Sequence, residues 1–324
     1  MRTAFHVTFR LFEILIVPVL LVCGVVLAVV VVYRAHSWVS MAGHMSDTMQ
    51  RVQVENESFR TLTQLFGGAF VLAGLYFSGK TIVLSRLAQS SERLAMALEG
   101  LGSDVEARRV GAIAVLGSFL DRSSAEYDTA LSTLCAFVRS TTASDQYRLG
   151  WANQPSVDVQ SAVEALSYRR RRSWRPVTRR ELNLRGSYLA GCDFREADLA
   201  GADFRLAVLT EANFYRAVLR EAKFTEAVAE RASFVQADLR EATFYRASAP
   251  EARYREAILT DVIFTRVDLS NASFAGTVLK RTSFSGAVLS GTSFNRAWLT
   301  ECDFVNANDD DADFTDAVRR RGRL

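Results

Sequence analysis

Gly74-Leu75-Tyr76-Phe77-Ser78-Gly79-Lys80-Thr81 spells a glycine, four residues, and then Gly-Lys-Thr. That spacing is one by which a chain cradles phosphate. It works when a buried strand precedes it, the backbone amides are free, and a helix starts at the lysine. Here the intervening residues are bulky and apolar, and the segment lies in a hydrophobic run where free amides are costly. No βα alternation follows, so a helix without nucleotide is expected. Acid–base chemistry has few candidates, because the three histidines, His6, His36 and His44, all flank the first apolar run. Cys23, Cys135, Cys192 and Cys302 are scattered, with no disulfide framework or metal spacing; this usage suits a reducing compartment. Asp309-Asp310-Asp311 reads as a solvated edge that discourages end-to-end strand pairing. No catalytic residue, metal ligand or cofactor is therefore expected, in a protein that is not an enzyme.

The elements that would position any site are set by a repeat. From Leu184 to Phe314 every fifth residue is a central position, 27 in all, and 24 of these hold Leu, Phe or Tyr. The exceptions are Ala229, Ala249 and Asp309. Two residues before each centre the residue is Ala, Ser, Thr, Cys or Val in 26 of the 27 units. A period of five fits neither a helix nor a flat strand, and self-similarity at a fixed period signals a solenoid. At 20-residue spacing the centres fall into columns. One column is Phe204, Phe224, Phe244, Phe264, Phe284 and Phe304; its opposite is Phe194, Phe214, Phe234, Tyr254, Phe274, Phe294 and Phe314. Two Leu columns lie between them, and all three exceptions fall in the one that begins Leu189, Leu209.

Runs such as Ala197-Asp198-Leu199-Ala200-Gly201 and Ala272-Ser273-Phe274-Ala275-Gly276 resemble the pentapeptide-repeat family. The resemblance implies a right-handed, quadrilateral parallel β-helix with one unit per side, hence between six and seven coils over 182–318. At roughly 4.8 Å per coil the rod would be about 32 Å long. Central and small positions point inward, and the other three face water. Stacked Ala229 and Ala249 leave less volume than Leu, so the rod is expected to narrow or bend over 229–250, with Tyr254 leaning into the space. Pro250 is expected at an outward corner where no ladder bond is lost.

Ahead of the solenoid, 14–33 is a 20-residue apolar run, long enough for a bilayer core of about 30 Å. A weaker span covers 62–84. The expected anchor is thus a transmembrane hairpin within 1–84, with helices over about 12–33 and 62–84. Five basic residues (Arg2, Arg10, Lys80, Arg86, Arg93) flank its outer ends, against three (Arg34, Arg51, Arg60) in the loop, which favours cytoplasmic termini in a multi-pass inner-membrane protein. The segment 85–170 reads as a small all-α region of four helices. Leu84, Leu87, Ser91, Leu94, Leu98 and Leu101 form a heptad-like stripe, and a last helix from Val157 is expected to cover the edge of the first coil. Asp104-Val105-Glu106-Ala107-Arg108-Arg109 and Leu134 through Arg139 look similar to a helical region of membrane-anchored bacterial pentapeptide-repeat proteins.

The net charge is +3, but it is segregated. Between Leu182 and Val318 there are 15 basic and 21 acidic residues; the linker, 171–181, belongs to a run with seven Arg over 169–180, and the tail, 319–324, carries four. Arg195-Glu196-Ala197, Arg220-Glu221-Ala222, Arg240-Glu241-Ala242 and Arg255-Glu256-Ala257 pattern the rod's surface with both signs. The expected function is a non-enzymatic, membrane-anchored interaction scaffold. Its expected partners are the lipid bilayer and a protein, with self-association through the spans and the helix over 85–101. The alternative is a membrane effector or signalling protein whose hairpin acts on the bilayer. Some family members mimic DNA and bind type II topoisomerases; the interspersed cations argue against that, and the nearly neutral net charge argues against nucleic acid as a partner.

Overall fold

The computed structural model describes residues 48–120, 126–144, 154–167 and 182–320, together with Gly24, Tyr33, Tyr147 and Gly150. The first expected span apart from Gly24 and Tyr33, the three histidines, Cys23, the arginine-rich run 169–180 and residues 321–324 lie outside the described residues. The chain divides into two compact units, Met1–Ala88 and Gln89–Leu324.

In the first unit the described element is the N-terminal part of α1 (Thr48–Leu101), a continuous helix that crosses the division. Within α1, Phe70–Leu101 is long and apolar enough to cross a membrane, beginning later than the expected 62–84. Phe70, Leu72, Leu75 and Phe77 are exposed on it.

In the second unit α1 ends against α2 (Glu106–Ser118), followed by α3 (Tyr127–Thr142) and α4 (Val157–Ser167). Their buried faces follow helical spacing: Ile113 and Leu116 on α2, Leu131, Leu134 and Val138 on α3, Val159, Val163 and Leu166 on α4. The approaches are close. A β-carbon on Gly117 would stand 3.2 Å from that of Ala165, and one on Gly100 would stand 2.9 Å from that of Ala112.

The solenoid follows. Each residue before a centre bridges in parallel to the residue 20 further on, as in Asn183↔Asp203, Tyr188↔Val208, Asp193↔Asn213 and Asp198↔Val218. Each coil therefore offers four bridging positions. On one column the bridges lengthen into strands, β1 (Ile258–Thr260), β2 (Val278–Lys280), β3 (Trp298–Thr300) and β4 (Val318–Arg320), forming a parallel sheet in that order. Centres and small positions are buried along the rod, and one apolar cluster runs from Ala97 in α1 to Leu299. Rings within a column stack, as Phe224 on Phe244 at 4.4 Å between centroids and 8°. Rings of the two columns meet edge to face, as Phe234 with Phe244 at 5.6 Å and 87°. These are the two arrangements that the ring quadrupole favours.

The corners were not expected. The residue two past each centre has φ near +60° in all 27 units: 21 non-glycine residues and six glycines. The left-handed region costs an L-residue roughly 1–2 kcal/mol. The ladder offsets it through most of the rod, where corner amides donate to a carbonyl of the next coil, as Glu221 N–H to Arg240 O at 2.9 Å.

Three expectations need correction. The rod does not bend at 229–250: Ala229 N–H donates to Ser248 O at 2.7 Å and Ala249 N–H to Asp268 O at 2.8 Å, in the same pattern as elsewhere. Nor does Tyr254 lean away. Its ring lies within 5° of Phe234 and 4° of Phe274, because stacking on both sides holds it parallel. Finally, Arg319 and Arg320 do not begin a tail but belong to β4. Arg319 takes the central position of its unit and places its guanidinium 3.9 Å from the Phe314 ring centroid and 5.3 Å from that of Phe304. A cation stacked on two end rings covers apolar surface while its charge reaches water.

Candidate functional site

The phosphate-loop spelling at Gly74–Thr81 is helical throughout, within α1. Thr81 Oγ1 donates to Phe77 O at 2.8 Å, a bond of the helix's own turn. Helical amides are engaged by carbonyls four residues back, so the segment offers no cradle. Cys135 and Cys192 are buried and Cys302 is half-buried. Burial pushes the Cys192 and Cys302 thiols up, away from the reactive thiolate. Asp309, Asp310 and Asp311 are exposed at a corner. Among the described residues no group of three His, Cys, Asp or Glu is placed to hold a metal ion.

Among the described residues, the helices hold a buried charged cluster. Asp158, 1% exposed, accepts from Arg109 Nε at 2.7 Å and from Ser156 Oγ at 2.5 Å. Tyr147 Oη accepts from the Ser156 amide at 3.1 Å, and burial pushes the Tyr147 hydroxyl up despite those contacts. Arg109 Nη1 also donates to the carbonyls of Ser103 and Asp104. The cluster ties the start of α2 to the start of α4, and its polar atoms are occupied by one another. A cleft of about 420 Å³ opens between α1 and α2, lined by Arg93, Met96, Gly100, Arg108 and Val115. It carries two guanidiniums and one hydroxyl, Ser118, whose Oγ donates to Val115 O at 2.6 Å within its own helix.

The outer surface of the rod is where side chains are presented in order. Arg231 reaches Glu211 one coil before at 3.4 Å and Glu251 one coil after at 3.1 Å. Arg216 donates to Gln236 at 2.8 Å, and Gln236 to Glu256 at 2.7 Å. Arg281 pairs with Asp261 through two hydrogen bonds. The stacked cations Arg220 and Arg240 do not simply repel, because both grip Asp238, at 2.5 and 2.7 Å. Burial alone would raise that carboxyl; the two guanidiniums outweigh it and hold it below the ordinary range. Asp203 is lowered the same way by Arg205. The sequence showed the signs of this lattice but not which rung each arginine would choose.

Comparison with known proteins bears on this surface only through the repeat. A scan of family models matches the description "Pentapeptide repeats", in eight copies, over residues 187–225, 217–253, 237–275 and 268–306. Among curated proteins no match is found. Solved structures give three likenesses. HetL, a pentapeptide repeat protein involved in heterocyst differentiation regulation in Nostoc sp. strain PCC 7120, is 25% identical over 42% of this chain and 79% of its own, with a TM-score of 0.19. QnrB1, a plasmid-mediated fluoroquinolone resistance protein, is 24% identical over 43% of this chain and 82% of its own, TM-score 0.19. A pentapeptide repeat protein of the Arabidopsis thaliana thylakoid lumen is 34% identical over 34% of this chain and 66% of its own, TM-score 0.15. With its five-residue period, its 20-residue ladder and these matched units, the solenoid of this chain belongs to the pentapeptide-repeat family.

Proposed function

We propose that this protein is a non-enzymatic scaffold that holds a rigid, four-sided β-helix at a membrane and uses its outer side chains to bind another protein. The observation that carries the reading is the ordered outer lattice: neighbouring coils fix one another's charged side chains, so the surface is presented with little freedom left to lose on binding. Membrane anchoring draws support from Phe70–Leu101 and from the apolar run 14–33. On this reading both termini are cytoplasmic, the segment 34–61 faces the other side, and the spans with the helix over 85–101 supply self-association. Right-handed winding is part of the same proposal, as in the family. The arginines on the rod disfavour DNA mimicry.

Proximity labelling from the C-terminus in native membranes tests it. A reproducible protein set is expected, reduced when outward residues such as Arg231 are changed to Ala at unaltered protein level. A label pattern indifferent to those changes would defeat the scaffold reading. Cysteine reporters at Asp47 and Asp316 test the topology: labelling of the Asp316 reporter from outside intact cells would overturn the assignment.

A further inference from the structure

The face bearing β1–β4 differs from the rest of the rod. Its first outward column reads Ile258, Val278, Trp298, Val318, each directly in register with the next. All four are open to solvent, at 44%, 55%, 52% and 37% exposure. Its second outward column reads Thr260, Lys280, Thr300, Arg320, so none of the eight outward positions carries a carboxylate. Earlier on the same face Asp198 and Asp238 stand in the first column instead. A row of four stacked apolar rungs that includes an exposed tryptophan is an adhesive surface.

We propose that this face docks onto a second copy of itself, with the two rods antiparallel about a two-fold axis between the Val278 and Trp298 rungs. Reversal about that axis brings Val278 against the partner's Trp298 and Ile258 against the partner's Val318, a large residue facing a smaller one at the centre. Lys280 meets the partner's Thr300 and Arg320 the partner's Thr260, so no cation faces a cation. The adjoining corner column alternates in sign, Asp261, Arg281, Glu301. Reversed, it sets Arg281 beside the partner's Glu301 and the reverse, so the strip is complementary to its own inverted copy. Four rungs span roughly 20 Å of rod, below the usual size of a stable interface. The dimer is therefore weak and forms at high local concentration.

The test cross-links two differently tagged full-length copies, one carrying Ile258→Cys and the other Val318→Cys, both in a Cys23→Ser, Cys302→Ser background. Packed sheets lie about 10 Å apart, within reach of a short bismaleimide. Two copies of position 258 would be offset by a further three rungs, about 14 Å along the axis. The mixed product should exceed either self-product several-fold. Glu301→Arg and Arg281→Glu should each lower that yield several-fold, and the double exchange should restore it. Self-association through the helices alone would give no preference for the mixed pair and would overturn the proposal. So would absence of product at about 100 μM, or failure of the exchange to rescue. Anionic vesicle binding that Trp298→Asp abolishes, without the mixed cross-link, would assign the face to lipid and overturn it as well.

Discussion

Tyr254 is the single interior ring with a polar tip, and its hydroxyl is buried without a protein partner. Burial pushes that hydroxyl's pKa up, and a buried hydroxyl that bonds nothing costs about 1–3 kcal/mol. Tyr254→Phe keeps the stack with Phe234 and Phe274 and should raise stability by about 1 kcal/mol in denaturant unfolding; a loss of stability would mean that the hydroxyl is engaged. Its place in the column was plain from 20-residue spacing, whereas its posture was not, since ring stacking on both sides outweighs the space beside Ala249. Pro250 behaves as expected of an outward position. Amides at that position in other units donate to a side chain two residues back, as Arg205 N–H does to Asp203 Oδ1, so the ladder loses nothing, and Pro250 O still accepts from Arg231 N–H at 2.9 Å. Asp203 and Asp238 carry a pH prediction. For Asp238 burial opposes ionisation but Arg240 and Arg220 outweigh it, so the folded pKa lies below the unfolded value of about 3.9. The stabilisation is then fully present above that value and is lost as pH falls through the folded pKa. The unfolding midpoint should drop as pH falls below about 4, and Asp238→Asn should flatten part of the drop.

Among the elements, the helices cover the edge of the first coil with specific bonds. The first coil has no earlier coil to bond its amides, and each of its four bridging positions meets a helix instead. Arg139 Nη1 donates to Asn183 O at 2.6 Å, and the Tyr188 amide donates to Thr142 Oγ1 at 3.1 Å, both from α3. On the α4 sides Gln160 Oε1 accepts from the Asp193 amide at 3.1 Å, Gln160 Nε2 donates to Asp193 O at 3.3 Å, and the Asp198 amide donates to Ser167 O at 3.4 Å. That some helix would cover this edge was legible, because an open ladder needs one; which side chains would do it was not, since Gln160 and Thr142 carry no signal of their own. Gln160→Ala leaves an edge amide and carbonyl unpaired and should cost about 1–3 kcal/mol, read as faster hydrogen exchange at Asp193 than at mid-rod amides. Unchanged exchange there would remove the capping role. The left-handed corners were equally hidden. Glu and Arg, which fill most of them, have no preference for positive φ, and through most of the rod the bond to the next coil offsets its cost.

Over the whole molecule, the sequence showed the solenoid because its period is fixed and its interior admits few residue types. It showed less of the surface, where many side chains satisfy the same fold and the choice of ionic partner depends on rung spacing. Phe70, Val71, Leu72, Leu75, Phe77, Ile82, Val83 and Leu84 are exposed within the first unit, an apolar surface of the kind a lipid-facing helix presents. The scaffold reading requires that interior and exterior have separable roles: the inner columns hold the rod together and the outer ones are free to bind. Unfolding of the full chain, followed by hydrogen exchange in the solenoid, tests that division most directly. Phe244 is fully buried between Phe224 and Phe264, whereas Arg246 stands outward over Tyr245. Phe244→Ala should cost about 3–5 kcal/mol and Arg246→Ala should stay within about 0.5 kcal/mol of the parent. Similar losses from both, or a larger loss from Arg246→Ala, would contradict the account.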